Sequence, residues 1–319
     1  MAASGLAVPS IHDRAAEAPK LLVLWVIGLA GVVAAATTLA LGLTNDEVDH
    51  VGMRVFLNDW ITLNYIVAGL IAWWRRPDSR FGLLMVAAGF VNFVGTLDWA
   101  TADVPFTIGV AFDLLAPVLF LHVFLAYPSG RLIGRLDRAI VVGAYAAAIG
   151  LGLVRMMLGG AGPGNLIQVI SASGAVEAAT DIQLLAISAF SLAGIGALAL
   201  RQWDAHRAPR RPLGPLVDSF ALGLLMIAAL FSSIVFIGSP GDVPAIETLR
   251  RVTFFVVGLA PIVFMAGLLR SRLAVGPAIV SLGAEAARGD VVGALRTALR
   301  DPTLEVAYWV AEYETYADV

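Results

Sequence analysis

Few residues in this chain can do chemistry, and the most costly of them to place is Asp113. It stands in the apolar run 105–127, roughly a third of the way along, where a carboxylate costs about 2.5–3.5 kcal/mol on insertion scales. Held there, it can bind a cation or a cationic ligand, or carry a proton. The alternative is a protonated Asp hydrogen-bonded to a neighbouring helix. Asp98 closes the run 81–97 near the same level, with Asp59, Asp103 and Asp181 close by. Asp98 and Asp113 are therefore the candidate ligand, cation or proton site. His122 and Asp218 lie about five residues from the opposite ends of their own runs, and an inter-helix contact between them would respond to pH, because imidazole titrates near neutrality. On a continuous helix, Asp113 and His122 fall on opposite sides, about 180° apart. The four histidines (His12, His50, His122, His206) and the absence of cysteine leave no thiolate site, no His/Glu cluster and no nucleophile–base pair. No catalytic residue, metal site or resident cofactor is predicted.

The elements that must position these residues are membrane spans. The chain is 59% hydrophobic and 14% charged, against roughly 25% charged for a soluble domain. Crossing a hydrocarbon core takes roughly 20 mostly apolar residues. Such runs occur at 21–45, 56–74, 81–97, 105–127, 139–154, 182–200, 213–237 and 252–269. The second and fifth are the weakest, with charge-free cores of only about 15 residues, so the range is six to eight, and eight is the expectation. The run at 21–45 is too long for the apolar part of a signal peptide and reads as a retained first helix. Ala189, Ala193 and Ala197 repeat at a spacing that lets helices approach closely. The net charge of −3 suggests no nucleic-acid partner.

Orientation follows from the basic residues near span ends. One side takes Arg14, Lys20, Arg75, Arg76, Arg80, Arg131, Arg135, Arg138, Arg201, Arg207, Arg210, Arg211, Arg270 and Arg272; the other takes only Arg54, Arg155, Arg250 and Arg251. The first side is expected to be cytoplasmic and to hold both termini. Arg201, Arg207, Arg210 and Arg211 form its densest cluster, suited to lipid headgroups. The second side is acidic, as depletion of arginine alone would make it. Trp60, Trp73, Trp74, Trp99 and Trp203 fall near span ends, where amphipathic rings settle.

After Arg272 the pattern changes. Gly276 and Pro277 break the last helix and form an expected signal-relay hinge. Asp290 is a fair N-cap for a helix with Val292, Leu295 and Leu299 on one face. Asp301 and Pro302 stop that helix, and LEVAYWV at 304–310 reads as a strand. The expected organisation is a cytoplasmic segment at 1–20, a helical bundle at 21–270, a linker helix at 271–300, and the start of a cut-off soluble domain at 301–319. The fold class is thus an all-α polytopic membrane bundle with a short α/β cytoplasmic tail.

Two segments carry a resemblance. HVFLAYPSGRL at 122–132 is similar to the span-ending turn in the membrane region of actinobacterial sensor histidine kinases, and ALRTALRDPTLEVAYWV at 294–310 looks like the opening of the GAF-like domain that follows their last span. The resemblance implies the input module of a two-component system, a homodimer, and a response regulator reached through a kinase core. ATP and Mg would belong only to a core beyond residue 319. The chain departs from the family in having no phosphoacceptor His in a charged Glu-Arg…His-Asp context and no ATP-binding glycine loop. The alternative expectation is a small transporter or channel with Asp98, Asp113 and Asp218 along its path.

Overall fold

The computed structural model describes residues 19–45, 50–162, 164–206, 214–273, 307–310 and 315–318. Eight helical segments are long and apolar enough to cross a membrane, the architecture of a multi-pass membrane protein. They comprise α1 (Leu21–Thr44), α2 (Val51–Arg75), α3 (Phe81–Gly95, continued by a 3₁₀ turn Thr96–Trp99), α4 (Asp103–Phe112) with α5 (Leu115–Ala126), α6 (Arg135–Tyr145) with α7 (Gly152–Met157), α8 (Ser173–His206), α9 (Gly214–Phe236) and α10 (Pro244–Leu273). All eight expected spans are present. Two of them are not single helices.

The fourth span breaks between Phe112 and Leu115. Pro117 has no N–H to offer the carbonyl of Asp113, four residues back, so one α-helix cannot run through both. As the third residue of α5, Pro117 lacks only a donor that a helix start leaves unpaired anyway. Asp113 fills the gap with its own side chain, its Oδ1 accepting from Leu114 N–H at 2.6 Å. The 180° separation of Asp113 from His122, which assumed an unbroken helix, therefore does not apply. The fifth span carries a π-helical segment, Ala146–Leu151. Gln183 of α8, fully buried, donates to the carbonyl of Ala148 there at 2.9 Å, because a widened turn offers carbonyls to side-chain donors.

α5 is the axis of the bundle. Its sequence LAPVLFLHVFLA is apolar on every side, and a helix apolar all round is stable only when surrounded. Nine of its twelve residues are buried, against α3, α6, α8 and α9. Outside it, α2 lies between α1, α3 and α10, and α9 between α8 and α10. α1 is peripheral and buries only Gly31, Ala34, Thr38 and Gly42, a small-residue stripe.

The end bearing Arg75, Arg80, Arg135 and Arg138 (the basic end) is locked by the turn after α5. The carbonyl of Ser129 accepts from Arg80 N–H at 3.2 Å, and Ser79 Oγ donates to the carbonyl of Pro128 at 3.1 Å. Gly130 has a φ of +72°, and a Cβ there would lie 2.1 Å from the backbone N of Phe81. Only glycine fits both the conformation and the contact. The Tyr127 ring, just before it, meets Phe81, Phe220 and Phe264 edge-on, joining the third, fourth, seventh and eighth spans. Asp137 accepts from Gly134 N–H at 3.2 Å and from Arg201, which also donates to the carbonyl of Leu125 at 2.8 Å. Arg201 is thus a tie between spans as well as part of a basic cluster; Arg207, Arg210 and Arg211 lie outside the described residues.

Near the C-terminus, β1 (Ala307–Val310) pairs antiparallel with β2 (Thr315–Asp318), Ala307 opposite Asp318. The expected hinge at Gly276 and Pro277 lies outside the described residues, as does the expected linker helix apart from 271–273, which end α10.

Candidate functional site

The bundle is hollow near its acidic end. A cavity of about 220 Å³ lies where α2, α3, the α4–α5 break, α9 and α10 meet. Asp98 and Asp113 both line it, so the two acidic residues singled out from sequence share one site. Arg54 and Arg250 line it with them. Asn58, Asn92 and Thr96 complete the polar rim, and Ile61, Phe120, Ile227, Phe231 and Val257 contribute apolar wall.

Each charge is held by a specific device. Arg155, one turn past the π segment, donates to Asp113 Oδ2 at 3.0 Å and to the carbonyl of Val110 at 3.4 Å. Asp113 therefore sits in the bilayer as half of an ion pair, which offsets the cost of an isolated carboxylate. Its side chain keeps 33% of its surface accessible, although protein surrounds it, because it faces the cavity. Arg250 pairs with Glu247 at 2.6 Å, and the same carboxylate holds Arg251 at 2.8 Å. Arg54 lies over the Trp99 ring, 5.8 Å from its centroid. Asp98 is different: its buried Oδ1 has no hydrogen-bond partner. Asp113, Arg54 and Arg250 are all near enough to act on its charge.

The last span is coupled to α2 beside this cavity. Gly258 of α10 lies so close under the Trp60 ring that a Cβ would come within 2.2 Å of it. Trp60 Nε1 donates to the carbonyl of Phe255 at 3.1 Å, its ring stacks on Phe255 at 5.5 Å, and Asn64 Nδ2 donates to the carbonyl of Gly258 at 3.3 Å. Three residues on, Pro261 sits inside α10 and withholds the N–H that the carbonyl of Val257 would otherwise receive. Below it, Phe264 packs against Tyr127 and Phe81.

The expected His122–Asp218 contact is not formed. His122 Nδ1 is 3.1 Å from Tyr145 Oη, with the two rings edge to face, and Asp218 accepts from Gln202 Nε2 at 3.3 Å. Each side chain takes the partner that its own helix face reaches, on α6 and α8 respectively. The third residue of the alternative path, Asp218, does not line the cavity. Among the described residues no cluster of His, Asp and Glu is arranged to hold a metal ion.

Reading the sequence by runs missed Arg54, Arg155 and Arg250 as site residues, because each looked like a charge beyond the end of a span. The signals that could have found the site were the prolines. Pro117 stands four residues after Asp113, and Pro261 stands inside the last apolar run. Comparisons with protein-family models, with curated proteins and with solved structures each find no match.

Proposed function

We propose that this chain is the membrane-embedded input module of a sensor histidine kinase, with the cavity as its receiving site and the last span as its output. The observation that carries this reading is that α10 forms one wall of the cavity with Arg250, Thr253, Phe254 and Val257, and is also the span leading toward the C-terminal segment. A molecule that binds better to one of two bundle packings shifts the balance between them by its difference in affinity. Pro261 gives α10 a place to bend between the cavity and the Phe264 cluster. The basic end faces the cytoplasm in this reading, with both termini inside. The segment from 301 onward starts a GAF-like domain, dimerisation brings two kinase cores together, and the cores use ATP and Mg to phosphorylate a response regulator. The resemblance of 122–132 and 294–310 to such kinases supports this.

The reading requires a phosphoacceptor helix and an ATP-binding domain encoded after residue 319. In the full-length kinase, Val257→Trp fills the cavity at the last span and is expected to change autophosphorylation in native vesicles at least about threefold. Unchanged output would remove the cavity from the signalling route. A reading frame that stops at codon 319 would end the kinase assignment.

One observation favours a second reading. A discontinuous span beside a binding cavity is a device of transporters, and the fourth span is discontinuous at Asp113, which lines the cavity. Solute flux in liposomes that depends on Asp113 would favour transport.

A further inference from the structure

The cavity on which the sensing reading rests also specifies its occupant. Its wall carries two carboxylates, Asp98 and Asp113, and two guanidiniums, Arg54 and Arg250. Behind them, Arg155 holds Asp113 and Glu247 holds Arg250. A ligand with net charge would enter a balanced, poorly solvated wall and remain uncompensated, whereas a net-neutral ligand would not. The wall charges differ in what they still lack. Asp113 is satisfied on both oxygens, by Leu114 N–H and by Arg155. Asp98 keeps a buried oxygen with no donor. Arg250 uses its Nη2 on Glu247, and a guanidinium has five N–H donors. Beyond the neutral polar groups Asn58, Asn92, Thr96 and Thr253, the wall is apolar, with Ile61, Phe120, Phe231 and Val257 among its residues. About 220 Å³ holds roughly seven water-sized groups at ~30 Å³ each, too few for a two-chained lipid.

We infer that the cavity binds a small zwitterion with an apolar tail, of the charge pattern and size of an apolar α-amino acid, with its ammonium at Asp98 and its carboxylate at Arg250.

Radiolabelled leucine is the probe, bound to the full chain in phosphatidylglycerol nanodiscs. Two competitors each keep one charge: leucinamide the cation, 4-methylpentanoate the anion. Leucine is expected to bind saturably, with each competitor displacing it at least about tenfold more weakly, since each leaves one wall charge without its partner. Asp98→Asn should lower leucine affinity about tenfold while sparing 4-methylpentanoate, and Arg250→Gln should spare leucinamide instead. The competitor ranking on the unmodified chain needs no variant to fold. A competitor equal to leucine would overturn the assignment, as would Asp98→Asn weakening all three alike. Absence of saturable binding by leucine, methionine and phenylalanine would do the same. If binding fails but Val257→Trp still alters kinase output, the zwitterion falls and the sensing reading stands. If leucine binds but kinase output never changes, the zwitterion stands and the sensing reading falls.

Discussion

The two ends of the bundle differ in what fills them. At the basic end, backbone meets backbone at Gly130 and Phe81, four aromatic rings close over the junction, and Arg201 ties Asp137 to the end of α5. At the acidic end, spans part around a cavity, and the groups between them include charges, Asp113 and Arg250 among them held in ion pairs. The difference teaches where this protein can move. An end closed by rigid backbone contact has one arrangement, whereas an end closed by ion pairs around a void can exchange partners.

Substitutions separate these two ends, and the largest effect belongs to the closed one. Gly130→Ala places a methyl against the backbone of Phe81 at a positive φ, and should destabilise by about 4 kcal/mol. Thermal unfolding in detergent would measure it, and a loss below about 1 kcal/mol would show that the turn is not rigid. At the open end, Arg155→Leu strands Asp113 and should cost about 3 kcal/mol. Adding Asp113→Leu to that variant should recover most of the loss, and a double variant as unstable as the single one would deny the pairing. Asp137→Asn weakens a tie whose arginine is 37% exposed, so about 1 kcal/mol is expected by the same assay. Smallest in stability is Pro261→Ala, within about 1 kcal/mol, since it adds an N–H for Val257. Under the proposed sensing function its readout is signalling: the output of the full-length kinase should lose its ligand response. Pro277→Ala is the counterpart. If it abolishes the response while Pro261→Ala does not, the hinge lies at 277.

The spans were legible because their signal is compositional. A run without charge, such as 21–45, needs no partner to be recognised, and it appears as α1, Leu21–Thr44. Depth alone placed Asp98 and Asp113 at one level, and both line the same cavity. The basic members of the site were not, because Arg155 and Arg250 belong to helices that extend beyond their apolar runs, to Met157 and from Pro244. Run-based reading ends a span where charge begins, and here the helix continues and turns that charge inward. His122 was misread for a related reason. Depth places a residue along the membrane normal but leaves its direction around the helix undetermined, and that direction is set by packing against α6.

Trp60 over Gly258 fixes the first part of α10 to its neighbour, while the part after Pro261 runs on as a lever. From residue 262 to Leu273 that lever is about 18 Å long at ~1.5 Å per residue. A tilt of about 10° at the proline would swing its far tip by about 3 Å, roughly half the rise of a helical turn. The ring on the glycine is thus a fulcrum. In the proposed sensing role, a disturbance too small to expel one side chain from the cavity wall would arrive magnified at the basic end of the bundle.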